Sequence, residues 1–454
     1  MKKLPGLLLL SLLFTATAHA APPAEWMRAP GARAEHVHDP VFGGRLALYR
    51  AGPAQATPGR QTVVLVHGLG APAARDWSAV IPALALRHEV IALDLPGFGY
   101  SDKGNHYYSL DNFVRVLDAV VTEPARFTLV GHSMGAAVAI AYAAAHPERV
   151  ERLVLLDAAG VLHRSVYVEF LAQTALKRAL GADSPLLEPL ARAIRSRAEN
   201  WPEDDELALE RAGVRQRLLG GEPAAIAAVG MTGYDFSRAL RRIRAPTLVV
   251  WGAEDRVAPL RTGHALAAAI SGARLLVLPA GHAPQIELSD RFNALLLDEL
   301  DDALGAAPYA LAPGPVREAR IARCDGTHGA QFDGDYEMLV LEDCRDARIA
   351  NARIGRLHAV RSSARIVNSH IRDEIQARQS RLQLTGGSVG GPLTLDATSI
   401  DAAATRFASL PLAANSGEAT VVLRLSVSEV SRSGNAPREL HEIVRLAPGE
   451  TLIR

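Results

Sequence analysis

The stretch RFTLVGHSMGAAVAIAYAAAHPERV, residues 126–150, decides the fold of this chain. Its first part, FTLV, is an unbroken apolar run typical of a strand buried on both faces of a parallel sheet. An alanine-rich helical run follows, and the turn G-H-S-M-G lies between the two, with glycines at 131 and 135. A serine at so sharp a strand-to-helix turn needs small neighbours two residues away on either side. The pattern predicts that Ser133 lies at the tip of a strand–turn–helix unit and acts as a nucleophile.

Similar apolar runs lie on both sides of this unit. Each is bounded by glycine or proline, and helical patterns separate most of them: TVVLVHG, EVIALDLPG, FTLVGHS, RLVLLDAAG, PTLVVWG and RLLVLPAGH. Apolar runs without polar alternation, separated by helices, indicate a parallel sheet covered on both faces. We therefore expect an α/β fold with a doubly wound, mostly parallel sheet. The run GRLALYRAG, from Gly44, predicts an additional antiparallel edge strand.

One long segment interrupts the alternation of strands and helices. Between Asp157 and Pro246 the sequence has several helical patterns and no strand signal. A helical insertion at this place is expected to form a cap over the carboxyl edge of the sheet, where its apolar residues would line a pocket. We therefore assign residues 21–160 and 241–304 to the α/β core and residues 161–240 to the cap.

The composition changes after the core. A linker rich in proline and alanine, residues 305–316, precedes a β-rich domain at residues 317–454. Apolar and asparagine positions recur there at intervals of 17 or 18 residues: Ile354, Ile371, Val389 and Phe407; Leu357, Ile375 and Leu393; Asn351 and Asn368. This spacing predicts a short parallel β-solenoid with an asparagine ladder, with an irregular β-sandwich as the alternative. The end of the chain, from Val421, predicts two or three further strands.

The first twenty residues, MKKLPGLLLLSLLFTATAHA, predict a secretory leader that is cleaved after Ala20. Two lysines precede an apolar run, and small residues at positions 18 and 20 precede the cut. The run is far shorter than the roughly 20 residues that a membrane-spanning helix needs. We expect an exported protein, periplasmic or secreted, without a transmembrane segment.

The charges of the chain balance, with 49 basic and 49 acidic residues. Loss of Lys2 and Lys3 with the leader would leave a net charge of about −2. This balance does not favour electrostatic binding to nucleic acid or to an anionic membrane.

The chain has two cysteines, Cys324 and Cys344. In an exported protein a disulfide between them is expected, with a pair of free thiols as the alternative, because sequence spacing does not establish bond geometry. Neither cysteine has a C-x-x-C partner or histidines at ligand spacing, so we predict no zinc site. No other metal and no cofactor is predicted.

A serine nucleophile needs a base, and the base needs an acid that orients it. Asp255 follows the strand LVVWG, and His282 follows the strand LLVLPAG. Both therefore lie just past the carboxyl ends of parallel strands, at the same sheet edge as Ser133, and in the order that this kind of turn requires. We assign Asp255 as the acid and His282 as the base.

Four other residues are alternatives or neighbours for these roles. Glu254 is adjacent to Asp255, and Asp157 follows another strand end, so each is an alternative acid. His264 also follows Asp255 but lies in a helical pattern, RTGHALAAAI, which favours a surface or packing role. His132, beside the nucleophile, is expected to pack or hydrogen-bond within the turn.

Attack by a serine on a carbonyl group places negative charge on the carbonyl oxygen, and two N–H groups are needed to stabilise this oxyanion. One is expected from Met134, the residue after the nucleophile. The other is expected from the loop VHGLGAP, where we assign Leu69, with Gly68 and Gly70 as alternatives. His67 is expected to brace this loop.

At these residues the chain resembles the α/β-hydrolase superfamily. The matching motifs are V-H-G-L-G (66–70), D-L-P-G-F-G-Y-S-D (94–102), G-H-S-M-G (131–135), W-G-A-E-D-R-V-A-P (251–259) and G-H-A-P-Q-I-E (281–287). The resemblance implies the nucleophile, acid, base and oxyanion donors assigned above, and a cap between the sixth and seventh strands. It also implies that Asp94 and Asp102 belong to a structural loop. The resemblance does not cover the C-terminal segment.

Similar haloalkane dehalogenases and epoxide hydrolases use an aspartate nucleophile, so the serine argues against both activities. Serine with histidine and a carboxylate favours acyl transfer to water. The leading hypothesis is hydrolysis of a carboxylic ester, with a small ester or lipid-like substrate under an apolar cap. Carbon–carbon bond hydrolysis of the ring-cleavage type is one alternative. A non-catalytic protein that binds a surface or partner through its C-terminal segment is the other.

Overall fold

A computed structural model describes residues 26–54, 60–70, 73–163, 166, 209–302, 307–309, 315–316, 320–408, 411–414, 421–432, 435–447 and 449–453. The predicted leader and parts of the predicted cap and linker lie outside these residues. The chain divides into two compact units, Met1–Gly263 with Arg274–Ala307 and His264–Ala273 with Pro308–Arg454. The domain boundaries drawn from the sequence stay predictions.

The first unit is built on an eight-stranded sheet. Its strands are β1 (Arg33–His38), β2 (Arg45–Ala51), β3 (Thr62–Val66), β4 (Glu89–Leu93), β5 (Phe127–His132), β6 (Val150–Leu156), β7 (Thr247–Gly252) and β8 (Arg274–Leu278). They lie in the order β1-β2-β4-β3-β5-β6-β7-β8. Strands β3 to β8 pair in parallel, while β1 and β2 are antiparallel. The predicted α/β fold is confirmed, with one correction. The antiparallel strand β2 is not at the edge, because β1 pairs along its outer side.

Helices lie between or after the strands of this sheet along the chain. In the described residues they are α1 (Ala73–Asp76), α2 (Val80–Leu84), α3 (Leu110–Val120), α4 (Met134–Ala145), α5 (Ala212–Leu219), α6 (Pro223–Thr232), α7 (Phe236–Arg242), α8 (Leu260–Ala269), α9 (Pro284–Glu287) and α10 (Ser289–Leu300). Three of them, α5 to α7, lie between β6 and β7, where the sequence predicted a helical insertion.

Strand β5 and helix α4 lie at the centre of the first unit. Every residue of β5 is buried, and Gly131 pairs with Val66 on one side and with Leu155 on the other. Helix α4 is buried from Met134 to Ala144, and small side chains make up most of it. Because alanine and glycine project so little, this helix can lie close against the sheet, and that fixes the direction in which the chain leaves β5.

The second unit is a parallel β-solenoid followed by antiparallel strands. Its strands are β9 (Ile321–Asp325), β10 (Gln331–Glu342), β11 (Ala347–Val360), β12 (Ser363–Val367), β13 (His370–Arg378), β14 (Arg381–Thr385), β15 (Ser388–Val389), β16 (Leu393–Asp396), β17 (Ser399–Ala403), β18 (Arg406–Phe407), β19 (Pro411–Ala414), β20 (Val421–Arg432), β21 (Asn435–Leu446) and β22 (Thr451–Ile453). Strands β9 to β20 pair in parallel with the neighbouring coils, whereas β21 and β22 are antiparallel to β20 and β19.

The pairing register of this unit follows the repeat in the sequence. Ile354 pairs with Ile371, Ile371 with Val389, and Val389 with Phe407, and all four are buried. The amide Nδ2 of Asn368 donates to Oδ1 of Asn351 at 2.7 Å. Stacked apolar side chains and an asparagine ladder therefore connect successive coils, which confirms the solenoid over the irregular sandwich.

Buried hydroxyl groups form a second ladder along the solenoid. The backbone N–H of Cys344 donates to Ser362 Oγ, that of Ser362 to Ser380 Oγ, and that of Ser380 to Thr398 Oγ1. Each step is 18 residues. Cys344, at the start of this ladder, forms a disulfide with Cys324 in the previous coil.

No helix in the described part of the chain combines the length and the apolar character that crossing a membrane requires.

Candidate active site

Ser133 lies in the turn between β5 and α4 with φ 53° and ψ −115°. Non-glycine residues rarely adopt a positive φ, and the strain is tolerated because the surrounding structure fixes the turn. A Cβ atom at Gly131 would collide with the backbone of Gly135, and one at Gly135 would collide with the carbonyl oxygen of Val66. The two glycines are therefore required for the close approach of helix, turn and strand.

The structure brings Ser133, His282 and Asp255 together. Nε2 of His282 lies 2.9 Å from Ser133 Oγ, and Nδ1 of His282 lies 2.8 Å from Asp255 Oδ2. The other carboxylate oxygen of Asp255 accepts the backbone N–H groups of Val257 and Ala258 at 2.7 and 2.9 Å. These bonds fix the carboxylate, so the ring of His282 is held with one nitrogen toward the hydroxyl group and the other toward the acid.

The alternative residues occupy other places. Glu254 is exposed, and its backbone N–H donates to the carbonyl oxygen of Ala280. His264 lies in α8, where its Nδ1 is hydrogen-bonded to the hydroxyl of Tyr309 at 2.8 Å. Neither side chain contributes to the arrangement around Ser133.

Asp157, the other alternative acid, lies beside Asp255. Its Oδ1 accepts the N–H of Gly252 at 2.9 Å, and within the described residues no N–H or hydroxyl donor reaches its buried Oδ2. Burial, and then the charge of Asp255, raise the pKa of Asp157 well above its ordinary value. Two carboxyl groups so close in a buried site do not both ionise. The raised pKa therefore favours the protonated form of Asp157 beside Asp255.

Donor atoms of Asp157, Asp255 and His282 lie within 4.8 Å of one another, and among the described residues this is the one group with metal-ligand geometry. The hydrogen bond between Asp255 and His282 accounts for part of this closeness. We assign no metal to it.

The loop of the predicted oxyanion donors follows β3. His67 bonds through Nδ1 to the carbonyl oxygen of Gly68 at 2.7 Å and accepts the N–H of Leu95 at Nε2, so it braces the loop. The N–H of Gly68 donates to Asp76 Oδ2 at 2.9 Å, so that group is not free for an oxyanion. Leu69 lies in the same loop, and Met134 is the first residue of α4, whose N–H belongs to the unsatisfied first turn. Their role as donors stays a prediction.

Sequence reasoning missed three side chains that bind the loops of this site. Glu287 accepts the N–H groups of Gly281 and Ala283 at 2.7 and 3.2 Å, on either side of His282. Asp76 and Gln285 are hydrogen-bonded to each other, Nε2 to Oδ1, at 3.0 Å and are both buried. An acidic residue in a short segment between a glycine loop and an apolar helical run was the available signal for Asp76.

Helix α6 of the cap region packs against the loops after two core strands. Pro223 lies against Gly97, in the loop after β4, and Met231 lies against Gly160, in the loop after β6. Ile226, also in α6, is fully buried. The part of the cap that the structure describes therefore presents apolar side chains toward the carboxyl edge of the sheet.

The family model of the alpha/beta hydrolase fold matches residues 61–288, half of the chain, and the matched range contains Ser133, Asp255 and His282. This chain belongs to the α/β-hydrolase family. The match ends before the solenoid, which is an addition to the α/β-hydrolase core.

Two relatives of this α/β-hydrolase show how closely its core is related to known proteins. It is 35% identical over 263 residues to the 2-hydroxymuconate semialdehyde hydrolase of Pseudomonas sp. (strain CF600). This alignment covers 54% of this chain and 88% of that protein. It is 32% identical over 255 residues to a 2-hydroxy-6-oxononadienedioate/2-hydroxy-6-oxononatrienedioate hydrolase of Pseudomonas putida, covering 53% and 88%. Among solved structures, a meta-cleavage product hydrolase from Pseudomonas fluorescens IP01 is 28% identical, covers 60% of this chain and 98% of its own, and has a TM-score of 0.42.

Proposed function

We propose that this α/β-hydrolase is an exported serine hydrolase that cleaves carboxylic esters, with Ser133 as nucleophile, His282 as base and Asp255 as acid. The observation that carries the proposal is the double hydrogen bonding of His282, at 2.9 Å to Ser133 Oγ and at 2.8 Å to Asp255 Oδ2. An imidazole held in this way accepts the serine proton at Nε2 while its Nδ1–H stays bonded to the carboxylate.

The geometry supports a two-step acyl transfer. Ser133 Oγ attacks the ester carbonyl carbon and its proton passes to His282 Nε2, giving a tetrahedral oxyanion. The oxyanion collapses, the carbon–oxygen bond to the alcohol breaks, and His282 returns its proton to the leaving alkoxide. Water then attacks the acyl-enzyme with His282 as base, and the carboxylic acid leaves as Ser133 regains its proton. The Leu69 and Met134 N–H groups are proposed to bind the oxyanion, a contribution of about 3 kcal/mol for each such donor in related chemistry.

The described part of the cap favours an apolar acyl or aromatic substrate. Helix α6, with Ile226 and Met231 buried, covers loops at the carboxyl edge of the sheet. Burial of apolar substrate surface under such a helix would supply binding energy of about 25 cal/mol per Å².

Hydrolysis of a carbon–carbon bond is the second candidate, favoured by the names of the relatives at 35% and 32% identity. The first step is shared, because Ser133 would add to a ketone carbonyl as it does to an ester. The bond that then breaks releases a carbon leaving group rather than an alkoxide. That group must be stabilised as an enolate, which a conjugated 2-hydroxy-6-oxo acid provides. The two reactions therefore differ in the substrate and not in the nucleophile.

One assay separates the candidates. Purified protein is given p-nitrophenyl esters of increasing acyl length and, separately, a 2-hydroxy-6-oxo-dienoate whose absorbance falls on cleavage. We expect ester turnover that Ser133→Ala abolishes, and labelling of the Ser133 peptide by a fluorophosphonate. Faster cleavage of the dienoate than of every ester would establish the second candidate. A probe adduct on another residue would refute the mechanism, and no reaction with any reagent would favour the binding-protein alternative.

Export is supported by the leader pattern of residues 1–20 and by the disulfide between Cys324 and Cys344, since disulfides persist in oxidising compartments. Expression of the full chain in a bacterial host, followed by cell fractionation and N-terminal sequencing, tests it. We expect a periplasmic or secreted protein that begins at Ala21. Retention of Met1 on a cytoplasmic protein would contradict export. The role of the C-terminal unit in binding a surface or a partner stays a prediction.

A further inference from the structure

A buried ion pair lies directly behind the proposed nucleophile. Nδ1 of His132, the residue before Ser133, is 2.9 Å from Asp76 Oδ2, and both side chains are more than nine-tenths buried. Neither residue takes part in the proton transfers proposed above, and a carboxylate is costly to bury unless it is paired.

The hydrogen bonds of His132 define its charge. Its Nδ1 faces a carboxylate oxygen of Asp76, and its Nε2 faces the backbone carbonyl oxygen of His282 at 2.8 Å. Both partners are acceptors, so both ring nitrogens must carry a hydrogen, and only the imidazolium cation has two N–H groups.

The electrostatics agree with this assignment. Burial by itself lowers the pKa of His132, but the charge of Asp76 and the bonds to Asp76 and to the His282 carbonyl outweigh burial and raise it; Asp255 adds to the effect. Burial raises the pKa of Asp76, but His132 and the N–H of Gly68 outweigh it and lower the pKa to about 2.

Asp76 connects three parts of the site. It accepts the N–H of Gly68 in the oxyanion loop, Nδ1–H of His132 in the nucleophile turn, and Nε2–H of Gln285 after His282. His132 then donates to the backbone of His282 itself. Gly68 is also the residue that makes room for this pair, because a Cβ there would lie 2.9 Å from His132 Nδ1.

We propose that Asp76 and His132 are positioning residues, whose buried ion pair sets the relative places of the oxyanion loop, Ser133 and His282. The proposal rests on the proposed function, because it concerns the reactivity of Ser133. It goes beyond packing, since three chain segments meet at one carboxylate and are held by its charge and its acceptor geometry.

Asp76→Asn is the most selective substitution for testing this positioning role. It keeps the size of the side chain but removes the charge that balances His132. The carboxylate of Asp76 accepts hydrogen bonds on both of its oxygens. Oδ1 accepts from Gln285, and Oδ2 accepts from Gly68 and His132. Whichever way an asparagine amide turns, its NH₂ group faces at least one of these donors. The replacement therefore disrupts the junction without leaving a cavity.

The kinetic test compares Asp76→Asn, His132→Phe and the double variant with wild-type enzyme. His88→Phe is the matched control, because His88 is 1% exposed but precedes β4, at the opposite edge of the sheet from the site. We expect kcat on the best ester and the fluorophosphonate labelling rate of Ser133 to fall about 100-fold in each single variant, with KM little changed. The double variant should be no slower than the slower single, because the residues act as one unit. Wild-type rates in folded Asp76→Asn or His132→Phe would overturn the proposal.

A spectroscopic test does not depend on the activity of the variants. Histidine-selective ¹⁵N NMR of the full chain at pH 8 should show one ring with both nitrogens protonated, and its signals should disappear in His132→Phe. A neutral His132 ring at that pH would overturn the ion pair. If wild-type protein hydrolyses no ester and is not labelled, the proposed function fails. If it is labelled and the variants are labelled equally fast, the positioning role alone fails.

Discussion

Asp157 shows how burial and a neighbouring carboxyl group favour the protonated form of an acid. Its φ of 43° is tolerated by aspartate and asparagine better than by most side chains. Its Oδ1 accepts the N–H of Gly252, and a carboxylate oxygen of Asp157 lies within 4.8 Å of one of Asp255. An asparagine amide supplies the same acceptor and a permanent donor in place of the acid proton. Asp157→Asn therefore imitates the protonated form.

The pH dependence of stability tests this conclusion. In the unfolded chain Asp157 titrates near pH 3.9, whereas burial, Asp255 and Glu287 raise its pKa in the folded protein. Its contribution to stability is thus complete below about pH 4 and is lost as pH rises through the folded pKa. Asp157→Asn should melt about 3 °C higher than wild type at pH 8, with the gain vanishing near pH 3.5.

Asp302→Asn is the matched control for this change. Asp302 also has a positive φ, 55°, but its side chain is 78% exposed and bonded to Arg152. Its replacement should change the free energy of unfolding by less than about 0.5 kcal/mol at either pH. A melting temperature of Asp157→Asn that is lower than wild type at pH 8 would contradict the raised pKa of Asp157.

Gly131 is a second position where one added atom should change both stability and activity. A Cβ there would meet the backbone of Gly135 and Ala136, which cannot rotate away as a side chain can. We expect Gly131→Ala to lower the free energy of unfolding by about 2 kcal/mol, from overpacking. It should lower kcat/KM for the proposed ester hydrolysis by about 100-fold, because Ser133 moves.

The control for this substitution is Gly213→Ala in α5, where a new Cβ meets nothing within 4 Å. It should be neutral or stabilise the protein by about 0.5–1 kcal/mol through helix propensity. Urea unfolding and steady-state assays measure both variants. Equal behaviour of the two alanines would show that the turn between β5 and α4 is not as tightly packed as the structure indicates.

At the scale of elements, the solenoid is held by ladders in which each coil completes the hydrogen bonds of the one before it. Ser380 Oγ accepts the N–H of Ser362 at 3.1 Å and donates to the carbonyl oxygen of Arg378 at 2.8 Å. Both bonds are shielded from water, so their loss leaves a buried N–H without an acceptor. The parallel sheet of the first unit has no such side-chain ladder described along it, and its centre is held instead by the packing of α4 on β5.

We predict that Ser380→Ala lowers the free energy of unfolding by about 1–3 kcal/mol. Ser380→Thr is the matched variant and should be much less affected, because Thr398 occupies the same position of the ladder in the next coil. Chemical denaturation of the full chain, followed by circular dichroism, measures both. An alanine variant as stable as wild type would show that water replaces the lost hydroxyl group.

At the scale of the whole molecule, Tyr309 joins segments of the second unit that are distant in sequence. Its hydroxyl bonds to His264, its N–H donates to the carbonyl oxygen of Ala273 at 2.9 Å, and its own carbonyl accepts Nδ2–H of Asn368 at 3.1 Å. Burial lowers the pKa of His264, so its ring is neutral at pH 7 and this contact is a bond between uncharged groups.

Tyr309→Phe should therefore lower the free energy of unfolding by about 1 kcal/mol, the contribution of one buried hydrogen bond. Tyr100→Phe is the control, because its shielded hydroxyl has no partner among the described residues. Thermal unfolding of both variants compares them. A Tyr309→Phe variant no less stable than Tyr100→Phe would mean that the bond to His264 contributes nothing.

Local patterns of the sequence predicted much of this architecture. The apolar runs predicted the parallel strands, since strands buried on both faces have no polar alternation. The interval of 17 or 18 residues predicted which apolar residues pair between coils, because a solenoid repeats its local structure. The position of β2 was predicted less well, since nothing in RAEHVH, residues 33–38, indicates that an exposed strand pairs beyond it.

The sequence by itself determined the fold class and the repeat, because each depends on local patterns along the chain. It also predicted that Ser133, Asp255 and His282 follow strand ends. Only the tertiary structure decided which carboxylate faces His282. Glu254 and Asp255 are adjacent, and the turn after β7 buries one and exposes the other. The tertiary structure alone also showed that Asp76, His132 and Gln285 meet behind Ser133. These residues lie on segments far apart in the chain, and their contacts follow from strand ends that converge at one edge of the sheet.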